Sequence, residues 1–216
     1  MCLNKYLFYL GVMLYDDDVY CFQHMEGECI VTLGNKEAIM SSIIYRQLQL
    51  EEAERIREID ASNFIGKAWR EVNGVRQLVE INYQDTGFPH GYERHLTELR
   101  ETMINGGSAL GAFDNGKVIG FCSVNSDVFG VKYRYALLHQ MFIDLNHRRK
   151  GIGKQLFLLS IIEAKKFGAE KFYICAGSSE ETIAFYRALG CVEAKEINIE
   201  LYESDTRDMQ LEYSFT

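Results

Sequence analysis

The chain has one proline, few basic residues and no long apolar run, and each shortage excludes something. With Pro89 as its single proline and no low-complexity stretch, it shows no sign of a disordered segment. Lys and Arg number 23 against 31 Asp and Glu, a net charge of -8, which argues against a surface that tracks nucleic-acid phosphates. That balance fits an acidic cytoplasmic protein, and it is compatible with a cationic substrate without implying one. The apolar run at 6–14, behind Lys5, is too short to span a bilayer and has no small-residue cleavage site before Asp16, Asp17 and Asp18. No membrane association is therefore expected. The six cysteines show no C-x-x-C pairing, and His24, His90, His95, His139 and His147 lack ligand spacing, so the thiols read as reduced and no metal is expected.

What is present suits one domain with a short appendage. At 216 residues and 47% hydrophobic content, the chain can bury a real core. Residues 1–42 read as an N-terminal extension of short strands (7–14, 19–23 and 29–33) joined at Gly27 and at Gly34-Asn35, an accessory element or a dimer contact of unassigned function. Met40 also resembles a chain start, because the pattern of residues 43–216 begins just after it.

That pattern opens with a strand at 43–48 and a helix at 50–59. Residues 60–88 are aromatic and irregular, with a strand at 75–83 after the Asn73-Gly74 turn signal and, as one alternative, a helix at 62–72. A helix starting at Pro89 carries Leu96, Leu99 and Met103 inward and ends at Asn105-Gly106-Gly107. Strands at 109–113 and 117–124 flank Asp114-Asn115-Gly116, a hairpin signal. A strand at 135–144 places Leu137, Met141 and Ile143 on one face, and the helix that follows, to about 167, is apolar nearly all round, which predicts full burial. A strand at 171–176, a helix opened by the capping pattern Ser178-x-x-Glu181 and closed by Gly190, and a strand pair at 192–201 and 209–215 complete the order.

Chemistry concentrates in the turn Arg148-Arg149-Lys150-Gly151-Ile152-Gly153-Lys154. It sets backbone N–H groups at a helix N-terminus, where they lack intrahelical partners and the macrodipole is positive, beside four basic side chains in an acidic chain. Such a site binds anions. A dinucleotide fingerprint would need a third glycine where Leu156 stands, and a phosphate-binding P-loop would need Ser or Thr where Gln155 follows Lys154. The spacing Arg148-x-x-Gly151-x-Gly153 after a strand instead resembles the acyl-CoA pyrophosphate signature of the GNAT superfamily of N-acetyltransferases. The stretch from Thr182 through Phe185, Tyr186 and Gly190 to Cys191 resembles that superfamily's late helix. The resemblance covers about 43–213 in element order, with Leu145 where the family often has Pro and Ser179 where it often has Asn.

The resemblance implies an α+β, three-layer fold: a mixed, mostly antiparallel central sheet flanked by helices. It implies an acetyl-CoA-dependent N-acetyltransferase, with acetyl-CoA as co-substrate and a primary amine, foremost of a small molecule, attacking the thioester directly. The alternatives are a non-catalytic acyl-CoA-binding sensor or docking domain of the same fold, and a protein N-acetyltransferase. On this reading the backbone of Arg149 to Lys154 holds the pyrophosphate, Arg148, Arg149 or Lys150 pair with its charge, and Ser179 adds a side-chain contact. The strand backbone at Met141, Phe142 and Ile143 takes the pantetheine amides and the oxyanion. Tyr186 is the candidate general acid for the departing thiolate. The base is open among Glu80, Glu101, His139 and a water chain, with Glu80 as the first candidate and His139 read as a satisfied core or edge residue, not a catalytic one. The region 60–88 would line the acceptor side, with Trp69, Tyr83 and Asp85 as an ammonium seat. A homodimer is compatible with the sequence.

Overall fold

The computed structural model describes residues 12–15, 18–25, 28–33 and 43–215. The readings of residues 1–11, of the Gly27 and Gly34-Asn35 joins and of Met40 as a start lie outside these. The strands are β1 (Val12–Tyr15), β2 (Asp18–Met25), β3 (Glu28–Leu33), β4 (Ile43–Gln47), β5 (Asn63–Val72), β6 (Val75–Asp85), β7 (Ser108–Asp114), β8 (Lys117–Phe129), β9 (Tyr135–Ile143), β10 (Lys171–Ala176), β11 (Val192–Glu193) and β12 (Met209–Ser214). The helices are α1 (Tyr92–Ile104), α2 (Ile152–Lys166), α3 (Glu180–Ala188) and α4 (Ile199–Ser204), with a 3-10 helix over Leu50–Glu58 and a 3-10 turn over Leu145–His147.

Ten strands form one sheet in the order β1-β2-β3-β4-β7-β8-β9-β10-β12-β11, and β5 and β6 form a separate hairpin. Among the described residues only β9 and β10 run parallel, joined by α2 as a crossover, and the other pairs are antiparallel. The expected mixed sheet flanked by helices is therefore the fold. The early strands continue this sheet through β3 and β4, which pair Ile30 with Ile44.

Two apolar layers hold the sheet. Ile152, Leu156 and Phe157 of α2 and Ile183 and Tyr186 of α3 cover one face, against Ile119, Cys122, Val124, Leu138 and Ile174. The other face buries Phe113, Val118 and Phe121 under Leu96 and Leu99 of α1 and Ala53 and Ile56 of the 3-10 helix. A third cluster of Tyr135, Leu137 and Tyr173 meets Leu201 of α4.

Four expectations are corrected. The segment 62–72 is strand β5, zipped to β6 from Val72↔Val75 out to Asn63↔Asp85, not the helix named as an alternative. Pro89 lies ahead of α1, which begins after Gly91 at φ 95. Residues 192–201 are not one strand: β11 stops at Glu193, and Asn198 accepts the Leu201 N–H at 3.1 Å to cap α4. Finally, α2 is not buried all round, because Ile162 is 53% and Leu158 37% exposed while Gln155, Ser160 and Glu163 face inward. Two of these inner polar groups are bonded, Ser160 Oγ to the Phe157 carbonyl and Glu163 to Gln47 and Lys166, which a count of apolar residues does not reveal.

Candidate active site

The sheet opens where its parallel pair ends. β9 and β10 are matched only from Tyr135↔Lys171 to Leu137↔Tyr173, whereas on its other side β9 stays paired with β8 as far as Ile143↔Gly120. The β10-facing edge of β9 from Gln140 to Ile143 therefore presents backbone N–H and C=O groups to a wedge. Such crevices at the carboxyl ends of parallel strands are ligand sites. The wedge displays Met141, Phe142 and Ile143, and β9 ends at the basic turn.

A bulge in the β8 ladder lies where the opening begins. Ser123 pairs with Gln140 and the next residue, Val124, with Leu138, so His139 has no partner across the ladder. The extra residue reverses the alternation: Ala136 and Leu138 face the α2 layer before the bulge, and Met141 and Ile143 face it after. Leu137 therefore joins the Tyr135 cluster instead of sharing a face with Met141, which corrects the expectation for this strand.

Beyond the wedge the turn is shaped as a cradle. Arg149 at φ 62 and Gly151 at φ 80 both adopt the left-handed conformation around Lys150, which a non-glycine residue seldom does. Gly151 is the N-cap of α2 and has no atom within 4 Å of where a Cβ would stand. The N–H groups of the first helical turn, which lack intrahelical partners, follow this open position at the positive end of the helix dipole. Gly153 serves packing, since a Cβ there would stand 3.2 Å from the Phe185 ring. Arg149 and Lys150 are exposed, and Ile152 anchors the turn in the core. Lys154, two positions on, is half-buried.

Two side chains hold this turn to the rest of the fold. Asp144 accepts the N–H groups of Asp60 at 2.9 Å and Asn146 at 3.1 Å and contacts His147 Nδ1 at 2.8 Å. Burial acts to raise its pKa, but these contacts outweigh it and hold the carboxyl below its ordinary value. Arg148 donates from Nε to the Ile143 carbonyl and from Nη1 to Asn63 Oδ1, both at 3.0 Å. Burial lowers its pKa, and Asp60 and Asp144 act in the opposite sense. Its guanidinium therefore ties the end of β9 to the start of β5.

Tyr186 packs on Phe157 and Phe185 with ring centroids 6.4 Å and 5.1 Å away. Burial, followed by the proximity of Cys191, Cys122, Asp208 and Cys175, pushes its phenol far above the ordinary range. Because Cys122 is on β8 and Cys175 on β10, the phenol lies beneath the opened strands. Ser179 caps α3: it accepts the Thr182 N–H at 3.1 Å and donates to Thr182 Oγ1 at 2.9 Å.

The expected ammonium seat is not assembled. Trp69 is half-buried against the α2 layer, its backbone N–H donating to the Ser178 carbonyl at 2.8 Å, with Arg187 5.2 Å above its ring. Tyr83 pairs with Ile65 and Asp85 with Asn63, which sets Trp69 about 13 Å along β5 from the partner of Tyr83. Tyr83 is 55% exposed, and Glu80, opposite Lys67, also faces outward on the hairpin.

A polar cavity instead lies on the α1 side of the bulge. Val124 and Val128 pair with Leu138 and Ala136, so Asn125, Ser126 and Asp127 stand opposite the single residue Leu137. Asn125, Asp127 and His139 then line an open cavity with Glu98, Glu101 and Thr102 of α1. The sequence held one signal of it, the polar triplet Asn125-Ser126-Asp127 inside an apolar strand. Among the described residues no group of three or more His, Cys, Asp or Glu side chains is placed to hold a metal ion, and no helix is long and apolar enough to cross a membrane.

The fold has solved counterparts. Nourseothricin acetyltransferase is 18% identical with a TM-score of 0.60, covering 80% of this chain and 98% of its own. A putative streptothricin acetyltransferase from Bacillus anthracis str. Ames, in complex with acetyl coenzyme A, is 16% identical with a TM-score of 0.60 over 81% of this chain and 100% of its own. The PaiA N-acetyltransferase from Thermoplasma acidophilum, in complex with coenzyme A, is 18% identical with a TM-score of 0.51 over 81% and 99%. No curated protein matches the sequence. Residues 74–191, with β9, the basic turn, α2 and α3 inside them, match the model of the acetyltransferase (GNAT) family. The match spans more than half of the chain, which belongs to that family and is an acetyl-CoA-dependent acyltransferase.

Proposed function

We propose that the protein transfers the acetyl group of acetyl-CoA to a primary amine of a small cationic molecule. The observation that carries this is the unpaired edge of β9, Gln140 to Ile143, with an anion cradle at one end and a carboxylate-lined cavity at its bulge. On this reading the diphosphate lies against the Gly151 turn and Arg149 and Lys150 add positive charge to it. The pantetheine arm bonds to the backbone of Met141 to Ile143, which leaves the thioester near the bulge, where the amine arrives from the α1 side. Positioning the two reactants together supplies much of the rate, and strand N–H groups aimed at the carbonyl oxygen stabilise the charge that develops there. Tyr186 donates the proton to the departing thiolate. Two neighbours named for nourseothricin and streptothricin acetylation share the fold, and one of them holds acetyl coenzyme A.

Residues 43–216 form the catalytic domain in this proposal, with 1–42 as an extension of its sheet. The protein works in the cytoplasm, consistent with its net charge of -8 and the free thiols of Cys122, Cys175 and Cys191. A calorimetric titration with acetyl-CoA, CoA, ATP and NAD tests the cofactor assignment. Binding of acetyl-CoA and CoA alone is expected, and equal binding of ATP or NAD would refute it. Thiol release is then measured with polyamines, aminoglycosides and amino acids. Tight binding without turnover on any amine would leave an acyl-CoA-binding module.

A further inference from the structure

The tautomer of His139 follows from its neighbours. Thr102 Oγ1 has one hydrogen, which it donates to Asn125 Oδ1 at 2.8 Å. The same oxygen lies 3.2 Å from His139 Nδ1, so across that contact it can only accept, and Nδ1 carries the ring proton. Burial is the largest influence on this ring and favours its neutral form. His95 and Arg94 act in the same direction, while Glu98 and Glu101 of α1 oppose them. Asp127, from the β8 bulge, is the remaining carboxylate lining the cavity. A neutral imidazole has a single N–H, so Nε2 is left with its lone pair.

That lone pair faces another acceptor. Nε2 lies 3.9 Å from Glu98 Oε2, and neither atom carries a proton to offer the other when the ring is neutral and the carboxyl ionised. Glu98 already accepts from Arg94 Nε at 2.7 Å on Oε1 and, on Oε2, from Gln140 Nε2 at 3.5 Å, but a carboxylate oxygen has room for a second donor, and an ammonium group with three N–H bonds can reach it and the Nε2 lone pair together. The bulge places this pair beside the unpaired edge of β9, where the proposed function puts the thioester.

We propose that His139 Nε2 is the general base for the acceptor amine, that Glu98 receives the same ammonium, and that Thr102 and Asn125 are positioning residues that hold the Nδ1–H tautomer. This rests on the acetyl-transfer reading above. The substrate ammonium gives one proton to Nε2, and its freed lone pair forms the C–N bond to the acetyl carbonyl carbon. The C–S bond breaks with its electron pair on sulfur, and the sulfur is protonated at the expense of the second proton of the same nitrogen, relayed through Tyr186. His139 returns its proton to solvent through the open cavity, so each amide formed releases one proton overall. While His139 is cationic its new N–H points toward the Glu98 carboxylate, which favours the imidazolium.

Two measurements test this. Long-range proton–nitrogen correlation spectra of the full chain with acetyl-CoA report the ring directly. At neutral pH the account requires a neutral ring with the proton on Nδ1, and an Nε2–H tautomer or a cationic ring overturns it. Thr102→Val should move the proton to Nε2, and an unchanged tautomer would remove Thr102 from this role. Thiol release with spermidine and putrescine as amines, followed against pH, is the second. His139→Gln should lower kcat by about 100-fold or more, a common size for the loss of a general base, and should abolish the acid limb of the profile while the KM for acetyl-CoA stays unchanged. A retained acid limb, or full turnover, overturns the assignment. Absence of thiol release from the unmodified protein with any amine would overturn the acetyl-transfer reading instead, and the tautomer spectrum would then decide the state of His139 alone.

Discussion

The two ends of the opened β9 edge are built on opposite plans. At the carboxyl end the cradle is a run of consecutive residues, uses backbone N–H groups and carries positive charge. At the bulge the cavity is gathered from α1, β8 and β9, uses side chains and carries carboxylates. Backbone donors recognise what every acyl-CoA has in common, a diphosphate and amides, and they tolerate change in the side chains around them. Side-chain carboxylates distinguish one amine from another and change with a single substitution. The difference teaches that cofactor binding and acceptor choice in this protein can be altered separately, because the β9 edge is what they share.

The largest expected effect comes from breaking the cradle. Gly151→Asp would place a Cβ on a left-handed residue, at a strain of about 1–2 kcal/mol, and would set a carboxylate among the N–H groups that take the diphosphate. An Asp at a helix N-cap satisfies those donors itself, so folding should survive while acetyl-CoA affinity falls by about 100-fold or more, equivalent to roughly 2.7 kcal/mol. Calorimetry reads this, and an unchanged Kd would show that the diphosphate binds elsewhere.

Next in size is Tyr186→Phe. Turnover should fall by about 10-fold to 100-fold, at the lower end for loss of a proton-transfer group, with acetyl-CoA affinity preserved. A variant with wild-type kcat would take the phenol out of the mechanism.

On the cavity side, Glu101→Gln should raise the KM for spermidine by about tenfold, or some 1.4 kcal/mol, and leave the KM for acetyl-CoA alone. If both constants rise together, the two ends are not separable and the comparison fails.

The smallest effect concerns stability. The Asp208 carboxyl is pushed up to about 6, by burial first and by Asp205 second. A folded-state pKa above the unfolded value means that the protonated form contributes stability, fully at pH below the unfolded pKa of 3.8 and progressively lost as pH rises through 6. At neutral pH the ionised carboxylate is therefore a net cost, and Asp208→Asn should raise Tm by a few degrees there, on the order of one kcal/mol in a chain of this size. No gain in Tm would place Asp208 in a better solvated setting.

The contrast between the two ends also explains what could be read from the sequence. Arg148, Gly151 and Gly153 lie within six consecutive residues, and their spacing after a strand carried the resemblance that implied the mixed sheet and marked this turn as an anion site. The cavity was hidden because it depends on one extra residue in β9 and a two-residue excess in β8. A bulge leaves no trace in a simple alternation pattern, and with it the faces of Leu137 and Met141 were misjudged. His139 was weighed as a possible base, but nothing in one dimension brings Thr102 and Asn125 to its ring. Trp69, Tyr83 and Asp85 looked like an ammonium seat because aromatics and acids interleave there. The hairpin ladder keeps Tyr83 and Asp85 together but sets Trp69 apart from them, in a packing role. Ser179 was foreseen near the cofactor, and the structure engages its hydroxyl in capping α3.

The central claim is that the carboxylate-lined cavity delivers the amine to the thioester across the bulge. It is tested most directly by comparing thiol release from acetyl-CoA with putrescine and with butylamine, amines of equal chain length that differ in a second ammonium group. The account predicts that kcat/KM favours the dication by about tenfold or more, since one extra charge-assisted contact contributes roughly 1.5–3 kcal/mol. Equal rates with the two amines would contradict it.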